Sequence, residues 1–217
     1  MAVRIPVLVS LSLLALGSLA AEAQTPPAFK GDAQRGHQLS YTCNGCHAIP
    51  NYKNVYPTYS VPKLRGQRPE YLVAALKAYK SGERSHGTMH SQASSMSEQD
   101  MADIAAYLAG PNVLTQSKND APATARPKAS EVCLACHGTN GVGITADYPS
   151  LAGQHADYLE RALHDYQKGG RKNPVMTGMA ATLTKQDIAE LSSYYANQSP
   201  SLQTLPKRSF FFSTKAP

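Results

Sequence analysis

Along much of the chain the apolar positions recur every three to four residues, with polar residues filling the gaps. From Glu70 to Lys80, Tyr71-Leu72, Ala75-Leu76 and Tyr79 form such a stripe, with Pro69 in the first turn and Gly82 as the stop, which predicts a helix. Ser97-Glu98-Gln99-Asp100 has the form of a capping box, and Met101, Ile104 and Leu108 follow on one face before Gly110-Pro111. The same two elements are predicted again further on. One spans Ala156–Lys168 and stops at Gly169-Gly170; the other opens at Thr184-Lys185-Gln186-Asp187, with Ile188, Leu191 and Tyr195 on its buried side. A shorter helix is expected from about Asp32 to Tyr41. No stretch of any length alternates with the two-residue period of a strand, so the fold class is all-α.

The recurrence is an internal repeat. A shift of 87 residues carries Pro62-Lys63-Leu64-Arg65-Gly66-Gln67 onto Pro149-Ser150-Leu151-Ala152-Gly153-Gln154, Tyr79 onto Tyr166, Met89 onto Met176 and Asp100 onto Asp187. Upstream the shift becomes 90, and Cys43-Asn44-Gly45-Cys46-His47 meets Cys133-Leu134-Ala135-Cys136-His137. A duplicated unit of this size is small for a self-sufficient core, so each copy is expected to enclose something other than protein. The resulting division is 1–23, a leader; 24–110, the first unit; 111–129, a linker with Pro122 and Pro127; 130–200, the second unit; and 201–217, a flexible tail with Lys207, Arg208, Phe210, Phe211 and Phe212. Docking of that tail to a partner or a membrane surface is the alternative reading. Gly36 would allow a close crossing of the first and last helices of unit one near Tyr107; Arg126 holds the matching position in unit two.

Composition narrows the class. The chain has 217 residues, 42% of them hydrophobic and 17% charged, and a net charge of +6, too mild a basic balance to argue for nucleic acid. Arg4, the apolar run 7–16 and Ala21-Glu22-Ala23 make a secretory signal with its cleavage site. The protein is therefore expected in the periplasm, where thiols would normally oxidise. Four cysteines in two tight pairs are too few for a disulfide scaffold.

Each pair belongs to a C-x-x-C-H sequence, the attachment signal of c-type haem. Two thiols separated by two residues at a helix end reach the two vinyl groups as thioethers, and the adjacent histidine comes to lie under the iron. A thioredoxin-like pair or a zinc cluster is the competing reading; the first lacks a βαβ pattern and the second a fourth ligand. Cys43, Cys46, Cys133 and Cys136 are thus expected to bind two haem c groups, with His47 and His137 as iron ligands. Of the methionines after Met1, only Met89 and Met176 superpose in the repeat, and they are the expected sixth ligands. Met179 competes with Met176, and His86 and His90 flank Met89, which keeps a bis-histidine first site open. Pro62 and Pro149 are the expected carbonyl partners of the two histidines, since a ligating imidazole donates its other N–H.

These residues, with the helices that follow each methionine, resemble class I cytochromes c in tandem, and the dihaem cytochrome c4 family in particular. The resemblance covers about 30–197. It implies two cytochrome c folds packed about a pseudo-twofold axis, with the haem propionate edges facing each other. It also implies electron transport from a donor such as the cytochrome bc1 complex to a terminal oxidase. The repeat carries no paired carboxylates and no Ser/His/Asp set, so a monomer that is not an enzyme is expected. Unit one departs from the pattern with a loop rich in tyrosine (Tyr52, Tyr56, Tyr59). The rival is a dihaem peroxidase with one open iron; a haem-based ligand sensor is a third class.

Overall fold

The computed structural model describes residues 1, 29–116 and 125–207; the expected signal, the middle of the linker and Phe210–Phe212 lie outside them. Unit one contains α1 (Ala33–Leu39), α2 (Tyr41–His47), α3 (Pro69–Ser81), α4 (Gly87–Ser94) and α5 (Glu98–Ala109). A 3-10 turn, Lys128–Cys133, opens unit two and leads into α6 (Leu134–His137), α7 (Ala156–Gln167), α8 (Pro174–Ala181) and α9 (Lys185–Ala196). Among the described residues, extended pairing is limited to isolated bridges.

Helix boundaries follow local chemistry. Asp32 caps α1 by accepting from the N–H groups of Gln34 and Arg35. Pro69 opens α3, and Gly82, at φ 80°, closes it in the left-handed region. The capping boxes of α5 and α9 are complete, with Ser97 and Asp100, then Thr184 and Asp187, each satisfying the other's backbone N–H. Helices α4 and α8 have no apolar stripe to announce them. They are set by their caps, His86 and Asn173, whose side chains accept from the N–H of Met89 and of Met176.

The units differ at their first helix. In unit one α1 crosses α5 so closely that a Cβ on Gly36 would lie 1.8 Å from the carbonyl oxygen of Asp103. Asp103, 1% exposed, accepts from the N–H of Asp32 at 2.8 Å and pairs with Arg35. The crossing thus falls one turn before Tyr107. In unit two Arg126 holds the matching place; residues 125–127 are not helical, and the described chain next forms the 3-10 turn Lys128–Cys133. The unit-one core gathers Leu72, Leu76, Met101, Ile104 and Leu108; that of unit two gathers Leu159, Leu191, Tyr194 and Tyr195.

Of the expected flexible tail, residues 208–217 lie outside the described ones, and the segment before them is packed rather than loose. Residues 201–207 form a packed strap: Leu202 is fully buried and Leu205 is 3% exposed within the core of unit one. The Leu202 N–H donates to the Ala152 carbonyl (2.8 Å), Arg65 and Gln203 exchange both backbone bonds (3.0 and 2.9 Å), and the Leu205 N–H donates to the His47 carbonyl (3.1 Å). An extended segment held by another unit's backbone has no periodicity of its own, and this one reads as polar loop.

The two units face each other about a pseudo-twofold axis, and their contacts are reciprocal. Arg84 and Arg171, equivalent positions, bridge to each other. The Ser85 N–H donates to the Gly170 carbonyl (2.7 Å), and the Lys172 N–H donates to that of Glu83 (2.8 Å). Such an arrangement, in which i meets j and j meets i, is an isologous interface. The tyrosine-rich loop breaks the symmetry: Ser60 donates through its N–H (3.0 Å) and its hydroxyl (2.9 Å) to Asp157 of α7.

Candidate haem sites

Each unit encloses a cavity between its C-x-x-C-H helix, its Pro-x-Leu-x-Gly segment and its methionine helix. The first, about 840 Å³, is lined by Cys43, Cys46, His47, Leu64 and Met89. The second, about 470 Å³, is lined by Cys133, Cys136, His137, Leu151 and Met176. No disulfide joins any two of the four cysteines. Burial pushes the thiols of Cys43 and Cys133 above their ordinary range.

The histidines are oriented from behind. His47 Nδ1 lies 2.9 Å from the Pro62 carbonyl oxygen, and His137 Nδ1 lies 2.9 Å from that of Pro149. A carbonyl only accepts, so Nδ1 carries the proton and Nε2 keeps its lone pair. Burial lowers the pKa of both imidazoles, against the opposing pull of these carbonyls. Two neutral imidazoles with fixed tautomers result, the form a metal takes up.

Met89 and Met176 stand at the third position of α4 and α8, where the caps fix the start of the helix. Met96 and Met179 also line the cavities, whereas Met101 is buried core. His86 is engaged as the α4 cap, with its Nε2 3.2 Å from Asn54 Oδ1. His90 donates from Nδ1 to the Tyr79 carbonyl at 2.8 Å. The tyrosine-rich loop lies at the first cavity: Tyr52, Tyr56 and Tyr59 line it, and Tyr56 is otherwise exposed.

The cavities meet at Tyr71, Arg84 and Tyr158, which line both. Arg84 is 8% exposed, its Nε has no partner, and among the described residues it pairs with no carboxylate. Its donors reach only phenols, Tyr158 at 2.6 Å and Tyr71 at 3.5 Å. A buried cation so placed calls for an anion, and the carboxylates of a haem supply one. Sequence reasoning missed this arginine, although Arg84 and Arg171 superpose in the repeat. Among the described residues no group of three or more His, Cys, Asp and Glu side chains is placed to hold a bare metal ion.

Two helical units, each with a C-x-x-C-H helix on an apolar cavity, define a dihaem c-type cytochrome that carries electrons and binds two covalently attached haem c groups. The comparisons agree. The cytochrome c family model matches residues 33–110 and 128–199. Cytochrome c4 of Pseudomonas aeruginosa is 36% identical over 178 residues, covering 76% of this chain and 87% of that protein. A thiosulfate dehydrogenase electron acceptor of Stutzerimonas stutzeri is 28% identical over 188 residues, covering 77% of this chain and 82% of that protein. The crystal structure of reduced recombinant cytochrome c4 from Pseudomonas stutzeri superposes with a TM-score of 0.61 at 32% identity, covering 78% of this chain and all of that one. The chain belongs to the cytochrome c4 family. Its redox partners are proteins, and among the described residues no helix is long and apolar enough to cross a membrane.

Proposed function

We propose that the protein is a periplasmic, monomeric electron carrier and not an enzyme. Cys43 and Cys46 hold the first haem, with His47 and Met89 on its iron; Cys133 and Cys136 hold the second, with His137 and Met176. The bound haems supply one-electron Fe(III)/Fe(II) couples. The residues bind and orient them, keep each histidine neutral by burial and its tautomer fixed through Pro62 or Pro149, exclude water, and hold both sixth positions closed. A donor such as the cytochrome bc1 complex reduces the protein and a terminal oxidase oxidises it; the thiosulfate dehydrogenase electron acceptors among its relatives make a sulfur-oxidising donor the second reading. Monomeric action is supported because the self-complementary faces are already paired within one chain.

The observation that carries this reading is the matched set: thiols, carbonyl-backed histidine and capped methionine occur on both cavities. The test is a redox-titrated visible spectrum of the holoprotein with a pyridine haemochrome count. Two haems per chain are expected, each with a weak red Met–Fe(III) band that disappears on reduction, and no carbon monoxide binding by the ferrous protein at neutral pH. M89H and M176H should each remove one band. A high-spin ferric signal, or ready carbon monoxide binding at one haem, would overturn it in favour of the peroxidase.

A further inference from the structure

Pro149 and Ser150 share one peptide group, and both of its polar atoms are engaged. The carbonyl oxygen accepts from His137 Nδ1 at 2.9 Å, and the N–H donates to Gln67 Oε1 at 2.8 Å. Gln67 belongs to the other unit. The Pro62–Lys63 peptide repeats the pattern: its carbonyl accepts from His47 Nδ1 at 2.9 Å, and its N–H donates to Gln154 Oε1 at 2.9 Å. Each glutamine also donates back, Gln67 Nε2 to the Ser150 carbonyl (2.9 Å) and Gln154 Nε2 to the Lys63 carbonyl (2.9 Å). Both side chains are 4% exposed. Their Oε1 atoms accept a second bond from the next residue's N–H, Arg68 at 3.0 Å and His155 at 3.1 Å, which fixes the amide plane.

Hydrogen bonds in series through a peptide group strengthen one another, because donating at the N–H makes the carbonyl oxygen more negative. A more negative oxygen draws the imidazole N–H harder and makes the ring a stronger donor to iron, which favours the oxidised metal. The glutamine that sets this polarisation sits across the interface from the histidine it acts on.

We propose that Gln67 and Gln154 are crossed positioning residues: Gln67 of unit one tunes the haem of unit two through the Pro149–Ser150 peptide, and Gln154 of unit two tunes the haem of unit one through the Pro62–Lys63 peptide. This rests on His47 and His137 being the iron ligands. Each redox centre is thereby linked to the docking of the opposite unit.

The experiment is an NMR-monitored redox titration of holoprotein variants, each haem's signals being assigned through M89H and M176H. Q67L is expected to raise the reduction potential of the second haem, shifting its equilibrium toward ferrous by about two- to threefold, while the first haem moves less. Q154L should do the reverse. Q67E keeps an oxygen acceptor for the Ser150 N–H and should leave the second haem at or below its wild-type potential. Shifts confined to the mutated unit, equal shifts at both haems, no shift, or a Q67E that rises with Q67L would each overturn the proposal. The assignment variants separate this from failure of the ligation itself: each must perturb one haem's signals alone, whatever Q67L does.

Discussion

Replacing Leu205 with alanine should destabilise the unit that lies farthest from it along the chain. Leu205 is 3% exposed and packs in the unit-one core with Leu72, Leu76 and Leu108. Truncation removes the transfer free energy of three buried carbons and leaves a cavity, together about 2–5 kcal/mol for a buried leucine. The backbone bond from its N–H to the His47 carbonyl survives the substitution, so a value near 3 kcal/mol is expected, roughly a hundredfold in the unfolding equilibrium. Guanidinium unfolding of the oxidised protein, followed through the red band and far-ultraviolet circular dichroism, resolves the two units if they unfold separately. The Met89-linked signal should be lost at lower denaturant in L205A, with the Met176-linked signal little changed. A loss below about 0.5 kcal/mol, the usual range for surface positions, or a loss confined to unit two, would show that the strap does not hold unit one together.

Gly36→Ala places a methyl group 1.8 Å from the Asp103 carbonyl oxygen, so α1 must move off α5. A loss of about 1–3 kcal/mol or more is expected in thermal unfolding, whereas R126A, at the matching place in unit two, should stay within about 0.5 kcal/mol. Asp100 is held down to about 2 by the Ser97 hydroxyl, then the Ser97 N–H, then Arg35. A depressed carboxylate pKa stabilises the folded state above the unfolded-chain value, about 3.9, and this is lost as pH falls toward 2. S97A should therefore raise the Asp100 pKa in a carbon-13 carboxyl titration and flatten the acid side of the stability profile; an unmoved pKa would refute the capping argument.

What local chemistry determines was readable in advance. The capping boxes at Ser97 and Thr184, the proline start of α3 and the glycine stop at Gly82 each rest on a few adjacent residues. The cysteine pairs and the superposed methionines announced two cavities because the repeat filters chance residues from recurring ones. What stayed hidden is either carried by a single side chain or long-range. Helices α4 and α8 depend on a single cap each, the strap borrows its hydrogen bonds from Arg65, His47 and Ala152, and the crossed glutamines are defined by partners more than eighty residues away. The difference at the α1 crossing was half visible, in that Arg126 cannot make the close approach that Gly36 makes. The 3-10 turn at Lys128–Cys133 could not be read from composition.

The reciprocal interface has a historical implication. A surface in which Gln67 meets Ser150 while Gln154 meets Lys63 is one that two identical chains could share. In a homodimer every substitution appears twice, so such a pair can only remain symmetric. Once the halves are fused, each can change alone, and the exceptions to the twofold are changes of that kind. Ser60 reaches Asp157 with no return contact among the described bonds, the strap crosses one way, and Asp165, which pairs with Arg161 and Arg171, stands opposite Ala78. Fusion lets two initially equivalent redox centres become unequal, and an inequality between them gives the passage of an electron a direction.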